Sequence, residues 1–150
     1  MSAIQSWIFN TWLAARVADG LVTEAIEGDL LRKRESGGIF YCDEPQTDTA
    51  RISAGELVVT GPITGLKARR GRAGAGLRED AALSAAGLER ESFRVVKRLA
   101  PGTRRDALAF PEACSVSREE DALVLRFVLS PGCYATVLLE LVAGPLTFGG

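Results

Sequence analysis

The spacing of the apolar residues changes along this chain, and that change limits its possible folds more than any other feature. Up to Gly20, apolar residues recur near helical spacing, at Ile4, Ile8, Trp12 and Ala15. Ser2 followed three residues later by Gln5 fits a capping box, and Gly20 fits a helix C-cap. We therefore expect an amphipathic helix over residues 3–19, with an apolar stripe wide enough to pack on two sides.

Between Ala25 and Gly65 the apolar runs become short and are broken by turn residues. The runs are Leu30-Leu31, Ile39 to Cys42, and Leu57 to Thr60, the last of which is ended by Gly61-Pro62. Short apolar runs bounded by turn residues are typical of small β structure.

Helical composition returns after this region, and a strand follows near the C-terminus. Leu77 to Ala86 predicts a helix, and Ser92 predicts the start of a shorter one through Leu99. Leu123 to Leu129 alternates with period two and has an apolar second face, which predicts a largely buried strand. Tyr134 to Val142 fits a helix and a strand equally well. The fold class is therefore α+β, with a small sheet and helices in the middle of the chain and a terminal helix and strand.

Missing and scattered residue types exclude several kinds of site. The chain has no histidine, which removes the usual general base and the commonest metal ligand. Its cysteines, Cys42, Cys114 and Cys133, form no CxxC pair, so we expect reduced, buried thiols and neither a zinc site nor a disulfide framework. No stretch approaches the ~20 apolar residues of a transmembrane helix, and the N-terminal run does not resemble a signal peptide. We expect a cytoplasmic protein that uses no membrane and no metal.

The charges are balanced overall but concentrated locally. With 18 basic and 19 acidic side chains, the net charge of -1 gives no global signal of nucleic-acid binding. The stretch from Gly65 to Gly76, called the basic segment below, contains Lys67, Arg69, Arg70 and Arg72 and no acidic residue. Its glycine content predicts a mobile loop.

Four stretches carry an ordered set of short motifs that spans nearly the whole chain. They are SAxQSxxFNxxLxxR from Ser2 to Arg16, Gly28-Asp29 followed by Gly37 to Phe40, Thr60-Gly61-Pro62 with Gly65, and Gly102 to Arg105 leading to Leu129 to Thr136. This ordered set resembles the TruD family of tRNA pseudouridine synthases.

The resemblance implies isomerisation of one uridine of tRNA to pseudouridine, with no cofactor and no metal. The family's catalytic aspartate lies in a GxKDxxAxTxQ segment and its base-stacking aromatic in an NxFGxQRFG segment, and neither motif occurs in this chain. Asp80, at the start of a predicted helix, and Asp29, in what resembles a structural turn, do not replace that aspartate. We therefore expect no catalytic residue in this chain and no activity from the chain alone.

Six basic residues are the candidates for RNA contact, because planar guanidinium groups pair well with phosphate oxygens. They are Lys67, Arg69, Arg70, Arg72, Arg104 and Arg105. The alternative is that the basic segment is a solvated surface and that the Arg104-Arg105 pair forms ion pairs with Glu119, Glu120 or Asp121.

Aromatic residues are less informative than the basic ones. Tyr134 is a candidate for the wall of an active site, with burial in the core as the favoured alternative. Trp7 and Trp12 do not share a helix face, so they do not form a stacking platform and are expected in the core.

The resemblance divides the chain into three parts and leaves two hypotheses. Residues 1–21 would be a helix of the catalytic domain, 22–120 the family's inserted domain, and 121–150 the last strand and following segment of the catalytic domain. The first hypothesis is the C-terminal portion of a tRNA pseudouridine synthase, which binds tRNA and is completed by a separate N-terminal chain or by a stretch that a shortened gene model omits. The second is a stand-alone RNA-binding module that has lost catalysis.

Both terminal parts would pack against a half that this sequence does not include. We therefore expect apolar surface to be only partly covered on Ile4, Ile8 and Trp12 and on the strand from Leu123 to Leu129. Contiguous exposed apolar patches usually mark an interface, so we expect a partner chain or self-association.

Overall fold

The computed structural model of the chain describes residues 3–94, 101–120, 122–130 and 133–144. The chain forms two compact units, Met1–Leu108 and Ala109–Gly150. The elements of the first unit are α1 (Ala3–Ala18), β1 (Leu30–Lys33), β2 (Ile39–Tyr41), α2 (Pro45–Ser53), β3 (Leu57–Ile63), α3 (Ala73–Ala85), a 3-10 helix (Arg90–Arg94) and β4 (Thr103–Asp106). Those of the second are β5 (Glu112–Glu119), β6 (Ala122–Val128) and α4 (Ala135–Ala143). The predicted α+β class is confirmed.

The boundary between the two compact units lies between Leu108 and Ala109. The predicted division into residues 1–21, 22–120 and 121–150 follows the organisation of the family instead. That division stays a prediction.

The first unit is built on an antiparallel sheet of order β2-β1-β3-β4. β3 joins its two halves, because it pairs with β1 from Leu57 to Thr60 and with β4 from Thr60 to Ile63. Gly61-Pro62 was expected to end this strand but lies inside it. Pro62 is tolerated there because β1 no longer runs beside that part of β3, and a proline can occupy a strand where a ladder hydrogen bond is not needed.

The predicted N-terminal helix is confirmed as α1, which packs against β3 and α3. Ile8, Phe9 and Trp12 are buried in the core. Gly61 of β3 leaves room for them, since a Cβ at that position would overlap the Trp12 ring. The core is therefore closed where the helix crosses the sheet.

Two expectations for α1 were wrong. The stripe was expected to be only partly covered, yet Ile8 and Trp12 are almost inaccessible, although Ile4 at its start is exposed. Trp7 was expected in the core but is 46% exposed. Because residues i and i+5 point to different helix faces, burying Trp12 turns Trp7 outward.

The C-terminus of α1 has the predicted glycine cap. Gly20 adopts a φ of 72°, its N–H donates to Val17 O at 3.1 Å, and the Leu21 N–H donates to Arg16 O at 2.8 Å. These two bonds form a Schellman motif, which needs a left-handed residue. At the other end of α1, Ser2 of the predicted capping box lies outside the described residues, and the Gln5 side chain is buried and donates to Thr64 O at 2.8 Å.

Two other element boundaries differ from the expectations, and one helix was not expected. α3 begins at Ala73 rather than Leu77. The predicted short helix is a 3-10 helix ending at Arg94, and the rest of that prediction, residues 95–99, lies outside the described residues. Helix α2 was not predicted, because it buries little apolar surface and its only local signal is Pro45 in the first turn.

The second unit consists of the β5–β6 hairpin and α4. The segment whose type was left open is helical from Ala135. The period-two pattern from Leu123 predicted a largely buried strand, which is wrong, because Leu123 is 70% exposed and Val128 is also exposed. The expectation that the apolar surface of this strand is only partly covered in this chain is confirmed. A two-stranded hairpin cannot cover its own apolar faces.

No helix among the described residues is long and apolar enough to cross a membrane.

The three thiols differ in environment, so the expectation that all are buried was wrong for Cys114, which is exposed, and for Cys133, which is half-buried. Cys42 is fully buried beside β2. Burial, together with nearby Asp48, raises the pKa of the Cys42 thiol to about 12. Because the thiolate is the reactive form, Cys42 is protected both by its pKa and by its inaccessibility.

We predict that alkylation at pH 8 will label Cys114 rapidly and will leave Cys42 unmodified until the chain is unfolded. Mass spectrometry of peptides from native and urea-treated protein provides the measurement. Equal labelling of the two residues in the native protein would contradict the burial of Cys42.

Candidate nucleic-acid interface

The basic segment connects β3 to α3 and carries four exposed cations: Lys67, Arg69, Arg70 and Arg72. It was expected to be a mobile loop, and the structure corrects this. Four hydrogen bonds hold its backbone. The Lys67 N–H donates to Pro101 O at 2.7 Å, and the Arg72 N–H donates to Gly28 O at 2.9 Å. The Gly71 N–H donates to Glu79 Oε2 at 3.0 Å, and Arg70 O accepts from the Tyr41 hydroxyl at 3.1 Å. The segment is therefore an ordered surface, and its last residues form the first turn of α3.

Tyr41 is the centre of this surface. The guanidinium carbons of Arg69 and Arg72 lie 4.7 and 3.7 Å from the centroid of its ring, within the range of cation–π contacts. Arg69 also donates to Ile39 O at 2.8 Å. One ring of β2 thus keeps two exposed cations next to each other.

Arg70 lies on the α3 side of the segment. Its Nε donates to Asp80 Oδ1 at 3.0 Å, and both side chains are about half exposed. Asp80 is thus one partner of an ion pair at the surface of the first unit. The lining of a small pocket beside this pair includes Arg69, Arg70 and Arg90, and Arg90 also donates to Ala68 O.

Gly28 supports the segment from the turn before β1. A Cβ at this position would overlap the carbonyl oxygen of Arg72, and Gly28 has a φ of 83°. The next residue, Asp29, accepts from Arg16 at 2.8 and 2.9 Å and from the Ile26 N–H at 2.9 Å. The predicted structural role of Asp29 is thus confirmed.

Arg104 was a candidate for RNA contact, and the structure places it inside the unit. Its Nη1 donates to Glu79 Oε1 at 2.6 Å, and its side chain is only 3% exposed. Burial lowers the pKa of Arg104, and the Glu79 carboxylate opposes that shift. The alternative of an ion pair was therefore right in kind, but the partner is Glu79, because β4 lies beside β3 and faces α3.

The remaining candidates are less central. Arg105 is half-buried, with its guanidinium carbon 4.9 Å from the Phe9 ring centroid. Tyr134 was expected in the core but is 68% exposed, just before α4 in the second unit. Glu119 pairs with Arg126 at 3.0 Å across the hairpin, and Asp121 lies outside the described residues.

Sequence reasoning missed Tyr41 and Arg90. Neither has a local signal, because each approaches the basic segment only after the chain has folded. Tyr41 is the last residue of β2 and Arg69 follows β3, so the two side chains meet only in the folded unit.

The ordered, exposed arginines beside Tyr41 form a local concentration of positive charge, and such concentrations in general attract polyanions. Comparison with known proteins gives the family: the profile of tRNA pseudouridine synthase D (TruD) matches residues 1–141, and the chain belongs to this family.

Known relatives agree with this assignment. tRNA pseudouridine synthase D of Anaeromyxobacter sp. (strain Fw109-5) is 39% identical over 140 residues, which are 93% of this chain and 40% of that protein. A tRNA pseudouridine synthase D of Thermus thermophilus is 34% identical over 93% of this chain and 38% of its own length. A crystal structure of a protein described as TruD of Methanosarcina mazei matches with a TM-score of 0.69 at 24% identity, over 91% of this chain and 35% of that one, which supports the fold. The chain thus spans about 40% of the length of these curated relatives.

The contact between Gly28 and Arg72 gives a test of how the surface is held. Gly28→Ala should cost more free energy of unfolding than Gly37→Ala. Both glycines have positive φ, which costs alanine about 1–2 kcal/mol. Only Gly28 also faces a backbone oxygen, whereas a Cβ at Gly37 meets nothing. Urea denaturation followed by tryptophan fluorescence measures both variants, and equal losses would contradict the close packing of Gly28 against Arg72.

Proposed function

We propose that this chain is the portion of a tRNA pseudouridine synthase that binds the RNA, and that the isomerisation requires a catalytic segment that this sequence does not include. The observation that carries the proposal is the ordered cationic surface of Lys67, Arg69, Arg70 and Arg72 in a chain of the TruD family. The named relatives are tRNA pseudouridine synthases, so a tRNA is the polyanion that fits this surface.

The geometry suits phosphate better than a base. The Tyr41 ring already carries Arg69 and Arg72, so the guanidinium groups are the parts of this stack that are offered to a ligand. Guanidinium groups form bidentate hydrogen bonds to phosphate oxygens. Backbone contacts of this kind position an RNA without reading its sequence.

The aspartates of the described residues support the absence of a nucleophile from this chain. Most of them are already engaged in ion pairs with arginines, at Asp19, Asp29, Asp48, Asp80 and Asp106. No GxKDxxAxTxQ segment occurs in the sequence. The chain alone is therefore proposed to bind tRNA without converting uridine.

The second unit supports a partner. Large apolar side chains are exposed on the hairpin and on α4, at Val116, Leu123, Val128, Val137, Leu141 and Val142. Exposed apolar patches usually mark an interface. Because the chain spans about 40% of its relatives, we propose that the partner corresponds to the remaining part of such an enzyme.

One observation favours the second candidate function, a stand-alone RNA-binding module. The apolar stripe of α1, which was expected to need a partner, is buried at Ile8 and Trp12 within the first unit. A unit that closes its own core can hold RNA by itself.

For RNA binding, we predict that Lys67, Arg69, Arg70 and Arg72 changed together to alanine will weaken tRNA binding and flatten its salt dependence. Each lost phosphate contact removes about 0.7–0.9 from the slope of log K against log salt concentration. The matched control changes one lysine and three arginines that are exposed elsewhere, Lys33, Arg34, Arg94 and Arg118. Filter binding at several salt concentrations provides the slopes. Equal slopes for the two quadruple variants would assign the basic segment to solubility.

For catalysis, we predict that the purified chain will form no pseudouridine on unmodified tRNA. Adding the part of the Anaeromyxobacter relative that this chain does not cover should give a complex by size-exclusion chromatography and restore pseudouridine formation. Complex formation and activity would favour the first hypothesis, in which this chain is the C-terminal portion of a synthase. Binding of tRNA without a complex would favour the stand-alone module. Pseudouridine formed by the chain alone would refute the proposal that catalysis lies elsewhere.

A further inference from the structure

A buried ion pair lies beneath the basic segment and reaches its backbone at two points. Glu79 accepts from Arg104 through Oε1 at 2.6 Å and from the Gly71 N–H through Oε2 at 3.0 Å. Arg104 Nη1 also donates to Arg69 O at 3.2 Å. The two points, Arg69 O and Gly71 N, lie between the two arginines that stack on Tyr41.

The same pair is fixed to the sheet on its other side. Arg104 Nε donates to Thr60 Oγ1 at 3.1 Å, and Nη2 donates to Thr60 O. The Thr60 hydroxyl in turn donates to Leu30 O at 2.6 Å. The position of the guanidinium is therefore set by β3 and β1, and the guanidinium transmits that position to the basic segment.

Glycines allow this close approach. A Cβ at Gly71 would lie 3.0 Å from Glu79 Oε1, and a Cβ at Gly76 would lie 2.7 Å from Gly71 O. The backbone thus has little room to move while the Arg104–Glu79 pair is intact.

We propose that Arg104 and Glu79 are positioning residues, which set the RNA affinity of Arg69 and Arg72 without contacting RNA. The proposal rests on the proposed function of the basic segment. Their side chains are 3% and 8% exposed, so neither can reach a ligand. Holding the segment in one conformation before binding removes an ordering cost from the association, as preorganisation does in general.

The first measurement uses the unaltered chain. Hydrogen exchange should show the Gly71 and Arg72 amides protected in the absence of RNA, because both donate to fixed acceptors. Exchange of these amides at the rate of an unfolded peptide would overturn the proposal without any variant.

The second measurement uses Glu79→Gln, with Glu56→Gln as the matched control. Both remove one negative charge, but Glu56 is exposed and pairs with Arg51 on another part of the unit. A glutamine at position 79 replaces one of the two carboxylate oxygens with an NH2 group, which cannot accept a hydrogen bond. Either Arg104 or the Gly71 N–H therefore loses its partner. We expect tRNA binding to weaken ~5- to ~10-fold, with the salt slope unchanged because no phosphate contact is removed.

The exchange pattern should separate positioning from a general loss of stability. In Glu79→Gln, the Gly71 and Arg72 amides should exchange faster in the free chain while those of β1 keep their protection, and tRNA should restore protection at Gly71 and Arg72. Arg104→Lys is the second variant if Glu79→Gln does not fold. Lysine keeps the charge but cannot span Thr60, Arg69 O and Glu79 together, so the same pattern is expected.

The outcomes distinguish this inference from the function on which it rests. If the unaltered chain bound no tRNA, the proposed function itself would fail. If the unaltered chain bound tRNA and Glu79→Gln and Arg104→Lys both matched it in affinity despite faster exchange at Gly71, only the positioning role would be overturned.

Discussion

The buried ion pair between Arg16 and Asp29 is the interaction on which the first unit depends. Both Arg16 contacts to the Asp29 carboxylate are shorter than 3 Å, and the same guanidinium donates to Leu21 O and Glu24 O. One side chain therefore ties the end of α1 to the connection that leads into β1. Because removing one partner of a buried pair leaves an uncompensated charge, at a cost of about 3–5 kcal/mol, this connection is strongly specified.

The basic segment owes its geometry to such buried groups. Asp29 fixes the turn at Gly28, and Gly28 O accepts from the N–H of Arg72. On the other side of the segment, Glu79 and Arg104 hold the backbone between the stacking arginines. Among the described residues, no buried side-chain nitrogen or oxygen lacks a hydrogen-bond partner. Buried charges are thus used here to place exposed ones, which is a role that a purely apolar core could not fulfil.

The two units differ in how completely they bury their apolar residues. The first has a closed core around β3, with Leu57, Val58 and Val59 almost inaccessible. The second exposes apolar side chains on both the hairpin and α4, including Leu123 and Leu141. A chain that spans about 40% of its relatives is expected to show such a difference if one unit closes on itself and the other completes a larger structure. The contrast agrees with our proposal that the first unit contacts RNA and the second unit contacts a partner.

The sequence by itself determined the fold class, the family, helix α1 with its end at Gly20, the strands at Leu30, Ile39 and Leu57, and the location of the exposed cations. These follow from periodicity, turn chemistry and ordered motifs, which are local in the chain. Only the tertiary structure decided that Arg104 is buried while Arg69, whose carbonyl oxygen it contacts, is exposed, and that Tyr41 lies beneath the cations. The physical reason is that burial and partner choice depend on strand register and on contacts between residues far apart in sequence, and a run of arginines looks the same whether its side chains meet water or a carboxylate.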